Sequence, residues 1–463
     1  MPRLLLLLTL SICYTSATPL KIVTIGDSLT DGYSEVARLA EVPLLGAVVG
    51  DRVYPEPDSP NPDGNVRAFN WPELLAIFRP NEADFGPTGE WGDIDDTFFF
   101  PLPSGDLRFR GFQKNFAVVG TTTLNWTSLL TSNPVDDGSF PLNLFYDATK
   151  SSLLTQLATA DVVVIMLGGN DLKNAYSDIF NAADPSPFLD PVRTRLETIH
   201  AAVRAENASV PIVVATVPDV GATPNIYQIY NTPALQATTR AHIAAMNQAI
   251  ITTFEAKPNT SVARVDRLTD LAFDLDPFHL NGTEFTIEGD PYNPPDHLFC
   301  KDNFHPGTAA QALIANEIML AINTRIPGAM TPFSHREILG SVLALDPDQP
   351  FIDWAAAYSL APDSFDLDSD GDGLPNGVEM LFGTSPVTST NSPTGRWEPG
   401  GGLTWNINED ASRYIQWSAE ESPDLDSWTD VPMSRLILTG GTATATPPAL
   451  ERSFFRIQAN PAP

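Results

Sequence analysis

The sequence predicts an α/β fold, a doubly wound parallel sheet flanked by helices, followed by a small calcium-loop segment and an all-β C-terminal module. Three observations support this prediction. Short apolar runs of β type alternate with helical patterns over roughly the first 326 residues. Several of these runs end in glycine followed by polar residues. Past residue 326 the composition shifts to clustered aspartates and then to short strands of alternating polarity.

The predicted strands of the α/β part are short and apolar, and they cover residues 22–25, 115–120, 162–167, 210–217 and 261–265. Helices are predicted over residues 69–78, 151–158, 191–206, 233–255 and 307–326. The uninterrupted apolar run 162–167 is typical of a parallel strand covered on both faces. Residues 79–114 have loop character. Chemistry in such a fold is expected at the carboxyl ends of the strands.

The first 17 residues have the pattern of a targeting signal. Arg3 supplies a positive charge, residues 4–12 are apolar, and Thr15-Ser-Ala17 resembles a cleavage site. We therefore expect a secreted, extracellular or periplasmic protein, cleaved near Ala17. No later stretch approaches 18 apolar residues, so no integral membrane segment is predicted.

The charge balance excludes one class of partner. The chain of 463 residues carries a formal net charge of −31, and its isoelectric point is near 4.3. A phosphate backbone would be repelled by this surface, so we expect no nucleic-acid partner. The one cysteine outside the signal, Cys300, is interpreted as a small buried residue.

Four sequence blocks carry the chemistry. They are Gly26-Asp-Ser28 after the first strand, residues 115–123 with Gly120, Gly168-Gly-Asn-Asp171, and Asp302-Asn-Phe-His-Pro306. Alone, a Gly-Asp-Ser turn is better explained as a turn that caps a helix. Together and in this order, the blocks resemble the SGNH (GDSL) hydrolase family over about residues 20–326. The resemblance implies a flavodoxin-like sheet and an ester hydrolase that needs no cofactor for catalysis.

Acyl transfer assigns a role to each of these residues. The Ser28 hydroxyl needs a base to take its proton, and His305 is the candidate. Asp302, three residues earlier, can fix the imidazole tautomer. The resemblance implies an oxyanion hole formed by the N–H groups of Ser28 and Gly120 and the side-chain amide of Asn170.

Other residues near these blocks receive structural interpretations. Asp27, Gly168 and Gly169 are expected to shape turns. His279 and His297 are weaker candidates for the base because neither lies in an Asp-x-x-His-Pro context. No Gly-x-Ser-x-Gly elbow occurs, which disfavours the α/β-hydrolase fold.

A calcium loop is predicted beyond the linker. Counting from Asp368, the spacing fits an EF-hand loop with Gly373 at the turn. The predicted ligands are Asp368, Asp370, Asp372, Leu374, Asn376 and Glu379, and Asp366 joins them in an alternative register. Pro375 makes the loop resemble dockerin or thrombospondin type-3 calcium repeats. We expect a structural Ca²⁺ ion; the alternative is an acidic solvated linker.

Short runs of alternating polarity after residue 395 predict a small β module, with strands near 413–418, 434–439 and 453–458. With the acidic loop, it resembles C-terminal segments of secreted verrucomicrobial and planctomycete-type proteins. Contact with a cell surface or a glycan is one role for it. Three tryptophans could stack on sugars or pack in its core: Trp405, Trp417 and Trp428.

The sequence therefore predicts five regions, which are a signal peptide (1–17), a hydrolase domain (18–326, insertion about 33–114), a linker (327–350), a calcium loop (351–385) and a β module (395–463). The predicted function is a secreted serine esterase that acts through an acyl-enzyme on a small-molecule or polysaccharide ester. Short-acyl (O-acetyl) esters of carbohydrates are preferred by analogy of architecture. The alternatives are a lipase or lysophospholipase, and a non-catalytic glycan-binding or adhesion protein. The oligomeric state is left open.

Overall fold

The computed structural model describes residues 18–31, 68–95, 102–132, 144–273, 277–290, 294–389, 395–397, 402–432, 434–447 and 454–462. The predicted signal segment and insertion residues 33–67 lie outside the described residues.

The α/β part alternates strands and helices as predicted. Its strands are β1 (Leu20–Gly26), β2 (Ala83–Asp84), β3 (Thr88–Asp95), β4 (Leu102–Phe112), β5 (Val162–Met166), β6 (Ile212–Ala215), β7 (Thr260–Ala263), β8 (Phe278–Leu280) and β9 (Thr283–Phe285). Its helices are α1 (Trp71–Phe78), α2 (Thr123–Thr131), α3 (Leu144–Leu157), α4 (Gly169–Asn181), α5 (Ser186–Glu206), α6 (Pro224–Ile229), α7 (Pro233–Glu255), α8 (Asp266–Phe273) and α9 (Thr308–Arg325).

The central sheet is parallel and has helices on both faces. Its strand order is β2-β1-β5-β6-β7. Successive residues of β5 belong to different cores, since Val163 and Ile165 pack with α4, α5 and α7, whereas Val162 and Val164 pack with α1 and α9. Every residue of β5 is buried. The predicted parallel sheet flanked by helices is confirmed.

The loop predicted over residues 79–114 and the strand predicted over residues 115–120 are both wrong. Residues 79–114 are not a loop, because they contain β2 and the antiparallel β3–β4 hairpin. Residues 115–120 lie alongside β1 in space. They form no strand, and one isolated bridge pairs Asn115 with Thr24. The Asn115 side chain accepts a hydrogen bond from the Thr24 hydroxyl and donates to the Thr30 carbonyl, so it anchors this segment.

Helix α7 has the predicted bounds, whereas others are longer. Helix α5 begins at Ser186, five residues before the prediction, and contains Pro191. Pro191 is the first residue of the predicted helix, whereas in the structure it lies inside the helix. Helices α2, α4, α6 and α8 are not among the predicted helices. Helix α4 begins directly after Gly168, whose φ of 119° is left-handed.

Both strands and helices follow the α/β part. The helices are α10 (His335–Glu337), α11 (Gln349–Ala357), α12 (Asn376–Phe382) and α13 (Glu409–Tyr414), with a π-helical turn at Ile338–Val342. The strands are β10 (Arg396–Trp397), β11 (Leu403–Asn406), β12 (Ile415–Ser422), β13 (Thr429–Asp430), β14 (Leu436–Thr439), β15 (Thr442–Ala445) and β16 (Phe454–Pro461).

The C-terminal strands form two small antiparallel sheets, β10-β11-β15-β14 and β13-β12-β16. The region is not all-β, because the predicted strand at 413 begins only at Ile415, after helix α13 capped by Asn408. A separate hydrophobic core contains Trp405 and Tyr414. Trp428 is half-buried, with the Arg456 guanidinium 4.3 Å from its ring centroid.

Candidate active site

The Gly26-Asp-Ser28 turn lies at the carboxyl end of β1. The Asp27 carboxylate accepts a hydrogen bond from the N–H of Leu29, and its carbonyl accepts from Thr30 and Asp31. A Cβ at Gly26 would lie 2.7 Å from the Thr30 Cβ, so only glycine allows the chain to turn this closely. Asp27 and Gly26 thus shape the turn and leave the Ser28 hydroxyl at the end of the strand.

The last block brings the His305 side chain into contact with Ser28 and the Asp302 side chain into contact with His305. The Ser28 Oγ lies 2.8 Å from His305 Nε2, and Asp302 Oδ2 lies 2.6 Å from His305 Nδ1. The other oxygen of Asp302 accepts from the N–H groups of Phe304 and His305, both at 3.0 Å. A carboxylate at Nδ1 holds the imidazole proton there, so Nε2 is free to accept from the serine hydroxyl.

The environment keeps Asp302 ionised. Burial would raise its pKa, but the hydrogen bond and charge of His305 and the two backbone N–H groups outweigh burial and hold the pKa below its usual range. The neighbouring Asn303 adopts a left-handed φ of 58°, which lets the chain turn between the two residues. The Asp302–His305 pair is therefore built within one tight loop.

Two predicted oxyanion donors come from different elements. Asn170 lies in the first turn of α4 and lines the same cleft as Ser28. Its amide donates to the Thr121 carbonyl at 3.0 Å, and a primary amide has a second N–H to offer. Gly120, next to Thr121, has a left-handed φ of 77°. Asn170 and the Gly120 segment are thus in contact beside Ser28.

The other histidines named from the sequence do not reach Ser28. His297 Nδ1 lies 2.5 Å from the Glu288 carbonyl, and His279 Nδ1 lies 2.6 Å from the Pro277 carbonyl. His279 also contacts Arg413 of the C-terminal region. Cys300 is buried, as expected, and its N–H donates to the His305 carbonyl.

The sequence matches the model of a known family. The family model for GDSL-like Lipase/Acylhydrolase matches residues 22–318, more than half of the chain. The chain belongs to this family. It is accordingly an ester hydrolase.

Solved structures similar to this GDSL family member include three esterases or lipases. The lipase Lip_vut3 from goat rumen metagenome is 13% identical, with a TM-score of 0.29 over 45% of this chain and 77% of that chain. An acetyl esterase mutant with acetate ion is 12% identical, with a TM-score of 0.32 over 67% of this chain and 100% of that chain. A carbohydrate esterase family 3 protein from Talaromyces cellulolyticus is 14% identical, with a TM-score of 0.31 over 66% of this chain and 97% of that chain. The search of curated proteins returned no match.

Asp171 has a role that sequence reasoning did not find. Its two carboxylate oxygens accept from the N–H and the hydroxyl of Thr123, at 2.8 and 2.6 Å, at the start of α2. It thereby joins α4 to α2 rather than capping its own helix. Because Thr123 is 48 residues away in the chain, no local pattern signals this contact.

Two buried carboxyl groups near Ser28 have raised pKa values. Burial raises the pKa of Asp27 to about 7, opposed by the Leu29 hydrogen bond and assisted by the charge of Asp171. Burial also raises the pKa of Asp219, to about 6. Both groups therefore bind protons more tightly than exposed aspartates do.

A cleft of about 880 Å³, including its open mouth, lies beside the nucleophile, and we call it the Ser28 cleft. Ser28 and Asn170 line it, with Pro218 to Thr223 after β6 and Val265 after β7. Helices α8 and α9 complete its wall. Sequence reasoning missed this cleft because α8 was not predicted and α9 was interpreted as packing alone.

Proposed function

We propose that this GDSL hydrolase cleaves carboxylic esters through an acyl-enzyme intermediate formed on Ser28. His305 Nε2 takes the hydroxyl proton as Ser28 Oγ attacks the ester carbonyl carbon, and His305 then gives that proton to the departing alcohol. Asp302 stabilises the imidazolium in between. A water molecule, deprotonated by His305, attacks the acyl-enzyme, and the acid leaves as Ser28 regains its proton.

The observation that carries this proposal is the continuous hydrogen-bond chain from Asp302 through His305 to Ser28, at 2.6 and 2.8 Å. Negative charge on the carbonyl oxygen would be stabilised by the N–H groups of Ser28 and Gly120 and by the Asn170 amide. No step requires a cofactor.

The test is hydrolysis of p-nitrophenyl acetate, butyrate and palmitate by purified residues 18–463, beside Ser28→Ala and His305→Ala. We expect each variant to lose roughly 1,000-fold or more in kcat. His297→Ala is the matched control, since this histidine lies in the same late loop without contacting Ser28, and it should keep wild-type activity. If wild type and Ser28→Ala are equally inert on all three esters, the non-catalytic binding scaffold becomes the better explanation.

Two classes of substrate suit this mechanism. Analogy of architecture favours short-acyl, O-acetyl esters of carbohydrates. The apolar Ser28 cleft instead favours the second class, a lipase-type ester with a longer acyl group.

We also propose that the protein is exported and cleaved after Ala17, on the pattern of Arg3, the apolar run 4–12 and the small residues that follow. No helix in the described part of the chain is both long and apolar enough to cross a membrane. Expression of the full chain with its product analysed by intact mass would show a protein beginning at Thr18. A product that keeps Met1 or Pro2 after export would contradict the proposal.

A further inference from the structure

The wall of the Ser28 cleft is apolar. Half-buried side chains that also belong to the hydrophobic core face it, and they come from β8, helices α8 and α9 and the loops around the triad: Leu29, Leu268, Phe278, Phe299, Phe304 and Leu313. An apolar surface that remains partly exposed within a concave site gains free energy when an apolar ligand covers it.

Polar side chains in this wall are already engaged. The Thr223 hydroxyl donates to the Val220 carbonyl at 2.7 Å, and the Thr269 hydroxyl donates to the Asp266 carbonyl at 2.8 Å. The Asp219 carboxylate accepts from the Gly221 N–H at 2.8 Å. A sugar placed in this part of the cleft would therefore find few donors and would lose its hydrogen bonds to water.

We propose that the Ser28 cleft binds the acyl chain of the substrate and that acyl groups longer than acetyl are preferred. This inference rests on the acyl-enzyme mechanism proposed above. The alcohol half of the ester then leaves toward solvent, away from the apolar wall.

The test compares kcat/KM for p-nitrophenyl acetate, butyrate, hexanoate and octanoate. Each methylene buried in the cleft should raise kcat/KM by up to about fourfold. Ala272→Phe on α8 and Ala310→Phe on α9 fill the cleft from two helices, and each should abolish the rise with chain length while acetate hydrolysis continues. Ala201→Phe on α5 is the matched control, because Ala201 is exposed and outside the cleft.

Two results separate this inference from the mechanism. If acetate is the best substrate and the filled variants keep the wild-type chain-length profile, the acyl-chain inference is overturned although the serine-esterase mechanism stands. If no ester is cleaved in a Ser28-dependent manner, the mechanism itself fails.

A second inference comes from the acidic loop before α12. Asp368 Oδ1 and Oδ2 accept hydrogen bonds from the N–H groups of Gly371 and Gly373, at 2.8 and 2.9 Å. Both glycines have left-handed φ angles, 80° and 97°, which lets the chain fold back on Asp368. As a result, carboxylate oxygens of Asp368, Asp370 and Asp372 lie within 4.8 Å of one another.

A buried carboxylate adjoins this group. Glu379, at the start of α12, is 0% exposed, and its Oε2 has no hydrogen-bond partner. Asp370 Oδ2 is likewise buried and without a partner. Asp370, Asp372 and Asp368 are close enough for their charges to act on Glu379, so this buried carboxylate lies near the group of three aspartates. Four carboxylates held together in this way repel one another unless a cation lies among them.

We infer that Asp368, Asp370, Asp372 and Glu379 bind one Ca²⁺ ion, the hard divalent cation that carboxylate oxygens suit best. Asn376 is also fully buried, and its Oδ1 has no partner. The Leu374 N–H donates to Asp372, which orients that carboxylate. Asp366 is exposed and outside the group, so the register that begins at Asp368 is the one we assign.

The ion would tie the acidic loop to the C-terminal core. Helix α12 carries Glu379 on the side of the loop, and its Met380 and Leu381 pack in the C-terminal hydrophobic cluster. Binding to the folded state alone stabilises that state by mass action. The cation therefore stabilises the C-terminal region rather than the Ser28 site.

The test titrates CaCl₂ or MgCl₂ into the EDTA-treated full chain by calorimetry and follows thermal unfolding. We expect about one Ca²⁺ per chain, a higher Tm with Ca²⁺, and binding weakened at least about tenfold in Glu379→Gln and Asp370→Asn. Asp366→Asn is the matched control and should bind like wild type. Absence of both heat and a Tm shift at millimolar Ca²⁺ would overturn the site, and equal weakening in Asp366→Asn would overturn the register.

Discussion

At the scale of single residues, the site depends on a few side chains with two contacts each. Asp302 holds His305 through the ring and through the backbone, and Asn170 reaches the Gly120 segment while it lines the cleft with Ser28. These residue types could be selected from the sequence, because acyl transfer requires a nucleophile, a base and oxyanion donors. The distances between these side chains could not be predicted from the sequence.

Asn170→Ala removes one proposed oxyanion donor. We expect kcat for p-nitrophenyl esters to fall about 100- to 1,000-fold with a smaller change in KM, because the donor acts mainly in the transition state. Asn181→Ala, at the exposed end of the same helix, is the control. An unchanged kcat in Asn170→Ala would remove Asn170 from the oxyanion hole.

Asp27→Asn isolates the effect of a buried carboxyl group on stability. The folded pKa of Asp27, about 7, lies above the unfolded value of 3.8, so the folded protein holds a proton that the unfolded chain releases. The protonated Asp27 therefore makes its whole contribution to the free energy of unfolding below about pH 4, and the wild type loses that contribution as the pH rises to about 7. The variant should lack this component, so its free energy of unfolding should rise relative to wild type by up to about 1.4 kcal/mol per pH unit in that window.

Urea unfolding of both proteins at pH 4, 5, 6 and 7 measures the difference. Since Asp219 and Glu379 also have raised pKa values, only the comparison of the two proteins isolates Asp27. A difference that is the same at every pH would show that Asp27 titrates normally.

At the scale of elements, turns and helix starts decide where the side chains point. Gly168 lies just after β5 and is the N-cap of α4, and a Cβ there would lie 2.7 Å from Val217 Cγ2. The sequence predicted that Gly168 shapes a turn. It did not predict helix α4, although Leu172, Tyr176, Ile179 and Phe180 recur at helical spacing and form its buried face.

Gly168→Ala should destabilise the fold by about 1–3 kcal/mol, through the left-handed φ and the contact with Val217, and should lower kcat by displacing Asn170. Gly328→Ala is the matched control, because Gly328 also has a left-handed φ, 73°, but has open space around its Cβ position. Gly328→Ala should lose only the stability that an alanine loses in a left-handed backbone conformation, and its kcat should be unchanged. Equal effects of the two substitutions on stability and kcat would contradict this account.

At the scale of the whole molecule, the C-terminal region is joined to the α/β part by specific contacts. The Tyr414 hydroxyl donates to Asp348 Oδ1 at 2.7 Å, and Arg336 binds both oxygens of the same carboxylate at 2.6 and 2.7 Å. The Asn281 amide donates to the Pro347 carbonyl at 3.0 Å, and the ring of Pro350 lies near Gly282. The junction is thus ordered by polar contacts and close packing.

Tyr414→Phe removes one hydrogen bond from this junction. We expect the C-terminal region to lose about 1 kcal/mol of stability, a small value because Asp348 is partly exposed and keeps its pair with Arg336. Ester hydrolysis should be unchanged. Tyr227→Phe, 41% exposed on α6, is the control in thermal unfolding. A large fall in activity in Tyr414→Phe would show that the junction communicates with Ser28.

The sequence by itself determined the parallel α/β class, the family and the residues of the four blocks, because strand patterns and turn motifs are local. Only the tertiary structure decided which of those residues meet. Ser28 and His305 are 277 residues apart in the chain, and Asp171 and Thr123 are 48 residues apart, yet each pair is in hydrogen-bond contact. Contacts between residues so far apart depend on how the elements pack and not on any local pattern. The Ser28 cleft likewise exists only where α8 and α9 pack beside the ends of β6 and β7, since a cavity is a property of packed elements and not of any one segment.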